Sequence, residues 1–159
     1  MKIKDFTIGK DQTLIIAELS ANHGHDIYIA KETIQAAKEV GADAVKLQTY
    51  TADTLTIDCD SEYFKLNSGT IWDGRTLYDL YREAYTPWEW QRELMEYANS
   101  LGLICFSTPF DKTAVDFLEG LHVPAYKVAS FEIVDIPLIE YIASKGKPVI
   151  ISTGIATLR

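Results

Sequence analysis

Two patterns of apolar residues alternate along this chain. Short apolar runs end in polar residues: LIIAE at Glu18, AVKLQ with Lys46 and Gln48, ICFST with Ser107 and Thr108, AYKVASFE with Lys127, Ser130 and Glu132, and VIIST with Ser152 and Thr153. Their length and β-branched content read as buried strands over about 13–19, 44–48, 103–107, 125–130 and 149–152. Between them apolar residues recur at helical spacing. Asp26 is placed to cap a helix whose face carries Ile27, Ala30, Ile34, Ala37 and Val40, stopped at Gly41. Thr86-Pro87-Trp88-Glu89 reads as a capping box with proline at the first helical position. Its helix would bury Trp90, Leu94, Tyr97 and Leu101 and end at Gly102. Asp111 begins a shorter helix ending near Gly120, and Asp135, with Pro137 in the first turn, begins another that runs to Gly146.

Strand, helix, glycine, strand is the order of a parallel α/β protein with short αβ loops. Such proteins carry their chemistry where strands end and βα loops begin. Five strands that each deliver polar groups to that rim say more than any one motif would. The connection over 49–85 breaks the rule of short loops. It leaves the rim after the second strand and carries Tyr50, Tyr63, Phe64, Trp72, Tyr78, Tyr81 and Tyr85, with a turn or two of helix expected in TLYDLYREAY. These aromatics form either a small satellite core or a substrate-facing wall or lid.

Bulk properties narrow the choice. The 159 residues suffice for one domain with a true core. A net charge of −8 argues against nucleic acid and anionic membrane as partners, so an anionic substrate would need a local lysine cluster. Cys59 and Cys105 make neither a disulfide framework nor a zinc spacing. The opening MKIKDFTIGKDQ lacks the apolar core of a signal peptide, and no run reaches membrane-spanning length. The expected compartment is a reducing cytoplasm.

Lys46 is the first chemical anomaly. Strand alternation sends Val45 and Leu47 to one face and Lys46 and Gln48 to the other. An ammonium inside an apolar strand either meets an anion, snorkels to solvent, or serves as a Schiff-base amine. Lys127 repeats the anomaly, and two lysines converging on one rim favour a phosphate or carboxylate site. Glu18 and Glu132 either neutralise these lysines or stabilise developing positive charge and move protons. Ser107-Thr108 and Ser152-Thr153-Gly154 are either ordinary caps or anion-binding turns. For Lys127 and Ser130 to act together, their strand must bulge or end near Ala129. Asn22 and His23 follow the first strand, and His23 has no evident partner. No nucleotide-loop, dinucleotide or zinc-protease motif is present.

Taken in order, IIAELSANHGHD, AVKLQTY, FSTPFD, AYKVASFE and GKPVIISTG resemble the N-acylneuraminate (sialic acid) synthase family. GTIWDGRTLYDLYREAYTPWEW and ASFEIVDIPLIEY resemble its pseudaminic acid synthase branch. The resemblance implies a TIM barrel, a (β/α)8 fold, represented here by about the first five strands and four helices. Residues 1–159 would be the N-terminal portion, with 49–85 an active-face insertion and a C-terminal antifreeze-like domain absent. It implies condensation of phosphoenolpyruvate with an N-acylated amino sugar to a nine-carbon 2-keto acid and phosphate, with Mn2+ or Mg2+ required and a homodimer formed. By motif, Lys46, Thr108, Lys127, Ser130 and Ser152 would bind phosphoenolpyruvate. Gln48 and Phe110 would lie near the sugar, and Glu18 and Glu132 would be the catalytic carboxylates. The metal-binding histidines would come from later strands absent here. Rival readings are a class I Schiff-base aldolase, a receiver-like open doubly wound sheet, and a non-catalytic half-barrel.

Overall fold

In the computed structural model, residues 1–9, 12–67, 69, 72–154 and 156–157 are described. Ser68, Thr70 and Ile71 of the long connection lie outside the described residues. The chain begins with an antiparallel hairpin of β1 (Lys2–Ile3) and β2 (Phe6–Thr7). The first βα unit is β3 (Ile16–Glu18) and α1 (Ile27–Glu39). β4 (Ala44–Thr49) leads into the long connection, which holds α2 (Ala52–Leu55), a 3-10 turn (Glu62–Phe64) and α3 (Leu77–Ala84). The remaining elements are α4 (Trp88–Ser100), β5 (Ile104–Pro109), α5 (Lys112–Gly120), β6 (Tyr126–Val128), a second 3-10 turn (Phe131–Val134), α6 (Ile136–Ala143) and β7 (Val149–Ile151).

Strands β3 to β7 form one five-stranded sheet in chain order, every pair parallel. A doubly wound sheet reverses its strand order at a switch point and carries helices on both faces. Among the described residues neither occurs. Val45, Leu47, Cys105, Tyr126 and Val128 pack on the helices through Ile34, Leu94, Ala98, Val115, Leu118 and Ile142. The other face holds a separate apolar cluster of Ile3, Ala44, Ile104, Phe106 and Ala125 with no helix residue in it. Helices outside, side chains inside and neighbours in sequence order are the first half of a β/α barrel.

The hairpin was not expected. Ile3 is fully buried, and Phe6 and Ile8 pack beside it against the starts of the strands. It closes the barrel at the end opposite the polar rim. Lys4 turns the hairpin at φ 49, a left-handed conformation uncommon for lysine.

Local signals explain most helix limits. Asp26 accepts from the Tyr28 amide, Asp111 from Thr113 and Ala114, and Asp135 from Leu138. Gly41, Gly102 and Gly146 follow their helices at positive φ. Five expectations need correction. Thr86 does not cap α4: Pro87 holds the cap position with no side-chain bond, because the Thr86 hydroxyl is engaged elsewhere. The buried stripe of α4 is Gln91, Leu94, Met95 and Ala98, with Trp90, Tyr97 and Leu101 on its flanks. Val40 caps α1 and is exposed, since it lies past the last helical turn. The first and fourth strands are shorter than their apolar runs, and α6 ends before Gly146. Beyond the four crossover helices, α2 and α3 belong to the insertion. No described helix is long and apolar enough to cross a membrane.

Candidate active site

Inward-facing positions change character along the strands. At the strand starts they are apolar: Ile16, Ala44, Ile104, Ala125 and Ile150. Two residues on, Glu18, Lys46, Lys127 and Ser152 take their place, and alternation keeps them on the same face. Parallel register then brings them side by side. Glu18 pairs with Lys46, and Gln48 with Thr108. Ser107 pairs with Tyr126, which sets Lys127 beside Thr108.

Lys46 is 9% exposed. Its Nζ donates to Glu18 Oε1 at 2.5 Å and more weakly to Thr108 Oγ1 at 3.4 Å. Gln48 Nε2 reaches the same Glu18 oxygen at 3.4 Å. Lys46 therefore neither snorkels nor stands alone; it is half of an ion pair.

Lys127 is held differently. Its Nζ donates to Ser152 Oγ at 2.5 Å and to the Val128 carbonyl at 2.5 Å, both uncharged acceptors. Burial lowers its pKa, and the Lys46 charge lowers it further. Register sets Lys127 beside Thr108, which the Lys46 ammonium also reaches, so both ammonium groups belong to one rim. An ammonium beside a like charge, without its own close carboxylate, favours an incoming anion.

The two carboxylates also differ. Glu18 is paired and partly exposed. Glu132 is not on a strand: β6 stops at Val128, Ser130 turns to helical φ −65, ψ −38, and Glu132 sits in the following 3-10 turn. Its Oε2 is buried without a hydrogen-bond partner. Burial raises the Glu132 pKa, its own backbone bond lowers it, Asp135 raises it, and Lys127 pulls it down again. The early end of β6 is the condition Lys127 and Ser130 needed to share a rim.

Ser130 is fixed by Gly154. A Cβ on Gly154 would lie 2.2 Å from the Ser130 carbonyl oxygen, and Gly154 has φ +52. Glycine alone meets both demands, so the turns after β6 and β7 interlock. Ser107 proves structural: its hydroxyl lies 2.7 Å from Thr49 Oγ1, which donates to Gln91 Oε1 on α4, so it faces the helices and only Thr108 serves the rim.

His23 is a core residue. Its Nδ1 accepts from the His25 amide at 3.0 Å, so Nε2 carries the proton and donates to Thr86 Oγ1 at 3.1 Å. Burial lowers its pKa, and His25 adds to this. Buried Cys105 is inert, its pKa pushed up to about 12 by burial. In the long connection Tyr50 is buried between Phe110 and Tyr81, whereas Tyr63 is exposed. A hollow of about 540 Å³ lies at the opposite end, lined by Lys4, Lys38, Asp43 and Asn99. That end of a barrel serves stability. The described residues contain no group of three or more His, Cys, Asp or Glu side chains that could hold a metal ion.

A parallel half-barrel whose rim gathers two ammonium groups, two unlike carboxylates and interlocked serine turns has the groups needed to hold a small anion. Residues 33–159 match the NeuB family, and the chain belongs to it. It is 53% identical over 143 residues to the pseudaminic acid synthase of Helicobacter pylori, covering 90% of this chain and 42% of that protein. It is 44% identical over 148 residues to the N,N'-diacetyllegionaminic acid synthase of Legionella pneumophila, covering 91% of this chain and 40% of that one. The crystal structure of N-acetylneuraminic acid (sialic acid) synthetase from Leptospira borgpetersenii, in complex with citrate, superposes with a TM-score of 0.81 at 29% identity, covering 99% of this chain and 50% of that chain. The chain thus spans less than half the length of these two curated relatives.

Proposed function

We propose that the complete protein carrying this chain is a nonulosonic acid synthase. It condenses phosphoenolpyruvate with an N-acylated amino sugar, giving a nine-carbon 2-keto acid and phosphate. Residues 1–159 supply the N-terminal half of its barrel and the phosphoenolpyruvate grip. The observation that carries this reading is the Lys127 ammonium, held by neutral acceptors and crowded by Lys46.

Lys127 and Lys46, with the hydroxyls of Thr108, Ser130 and Ser152, hold the phosphate and carboxylate oxygens. Gln48 and Phe110 face the sugar. The enol carbon attacks the open-chain aldehyde, forming the C–C bond; the aldehyde oxygen takes a proton, and positive charge develops on the adjacent former enol carbon. Glu18, paired with Lys46 at 2.5 Å, faces that charge and stabilises it. Glu132, with its raised pKa, suits proton transfer: it takes the proton of the water that adds to the cation. The tetrahedral intermediate then expels phosphate by breaking its C–O bond. A divalent ion, Mn2+ or Mg2+, would polarise the aldehyde, but the described residues do not form its site and no step above passes through it. A homodimer and a cytoplasmic location accord with this reading.

The test is phosphate release from phosphoenolpyruvate by the complete protein. Release that requires the amino sugar, with oxygen-18 from the C–O–P bridge of phosphoenolpyruvate appearing in phosphate, supports the synthase. No release with any acceptor overturns it. The lowered Lys127 pKa also favours a second reading, a Schiff-base aldolase. Borohydride with pyruvate would trap an adduct on Lys127 in the aldolase and none in the synthase.

A further inference from the structure

Alternation that directs Lys46 and Gln48 inward continues one step past β4 to Tyr50, and the same step past Thr108 on β5 reaches Phe110. The two rings meet edge-on with centroids 5.4 Å apart. Tyr81, from α3 of the long connection, meets Tyr50 edge-on at 5.7 Å. Three rings thus stand in line above the end of the polar rim. Burial raises the Tyr81 pKa, and the Glu132 charge raises it further. Neither Tyr50 nor Tyr81 has a hydrogen-bond partner for its hydroxyl among the described residues.

We propose that Tyr81 is a specificity-determining residue: with Tyr50 and Phe110 it forms the wall that receives an N-acyl group of the acceptor sugar. This rests on the synthase reading. The chemistry of the wall selects the substituent. A sugar hydroxyl set against three rings loses its water and gains little. An acetamido group offers a methyl for the ring surface and a carbonyl that can accept from a phenol O–H. The insertion is thereby a recognition element, and the Lys127 side of the rim remains common to any acceptor.

Steady-state kinetics of the complete protein test this, with N-acetylmannosamine and a 2,4-diacetamido-2,4,6-trideoxyhexose as acceptors. Tyr81→Ala is expected to raise acceptor KM roughly tenfold or more, the scale of one apolar group in a pocket, with phosphoenolpyruvate KM unchanged. Tyr81→Phe keeps the ring and should lose only a few-fold. If Tyr81→Ala melts early, Tyr81→Leu carries the same expectation. Unchanged acceptor KM in the folded variant overturns the proposal, as does an equal rise in phosphoenolpyruvate KM. An unsubstituted protein inactive with every acceptor fails the synthase reading itself, a distinguishable result.

Discussion

Lys127 donates to Ser152 Oγ across the β6–β7 pair, at 2.5 Å, while the neighbouring Lys46 donates to Glu18 at the same distance. Two lysines on one rim thus differ in kind. Lys46 already has a carboxylate partner, whereas Lys127 is held by uncharged acceptors and has more to gain from an anion. Replacing Lys127 with alanine should raise phosphoenolpyruvate KM by about 10- to 100-fold, the range for a hydrogen bond to a charged group. Initial-rate kinetics of the complete protein check this, and an unchanged KM removes Lys127 from the site.

Glu132→Gln should depress kcat more than KM, because proton transfer is lost while charge-independent contacts persist. It also has a stability signature. Burial raises the folded-state pKa of Glu132 above its ordinary value, so the folded protein holds the proton more tightly than the unfolded chain. Stability from this group is present below the ordinary carboxylate pKa and is lost as pH rises through the raised value. Glu132→Gln should therefore melt higher than the parent near neutral pH, with the gap closing in acid. Thermal melts across pH measure this; a lower melting temperature at neutral pH contradicts it.

Gly154→Ala should cost about 1–3 kcal/mol of stability and raise phosphoenolpyruvate KM, since a Cβ there meets the Ser130 carbonyl at 2.2 Å. Gly154→Asn separates the causes. Asparagine tolerates positive φ but keeps the Cβ, so it should fail as alanine does. Rescue by asparagine would make backbone conformation, not contact, the constraint.

The buried His23–Thr86 pair predicts acid sensitivity. Burial lowers the folded-state pKa of His23, so its contribution is full above the ordinary histidine pKa and is lost as pH falls through the lowered value. Thr86→Val leaves Nε2–H without its acceptor and should cost about 1–3 kcal/mol at neutral pH. Chemical denaturation should show it; no loss means that water replaces the hydroxyl.

Much of this was legible beforehand. AVKLQ alone placed Val45 and Leu47 against helices and Lys46 and Gln48 inside, because a strand leaves no other choice once one face is apolar. Asp26, Asp111 and Asp135 announced helices by local bonds that need no tertiary information. The misses share a cause: a partner distant in sequence. Thr86 follows the capping pattern, yet His23 claims its hydroxyl. Ser107 resembles an anion ligand until Thr49 and Gln91 are seen behind it. The hairpin was hidden because Ile3, Phe6 and Ile8 find their core only against strands that come later. Of the candidate site, Glu18, Lys46 and Thr108 join directly and Lys127 joins Ser152. Ser130 and Glu132 reach the rim only because β6 stops early, which its apolar run concealed.

The chain-order sheet also bears on ancestry. Each βα unit adds its strand beside the one before it, so on the proposed synthase reading the donor-gripping units would form a contiguous stretch of gene, and the insert would add Tyr81 to the acceptor contacts of Gln48 and Phe110. Exchanging that insert between lineages would redirect which sugar is built without disturbing the machinery that spends the enol phosphate.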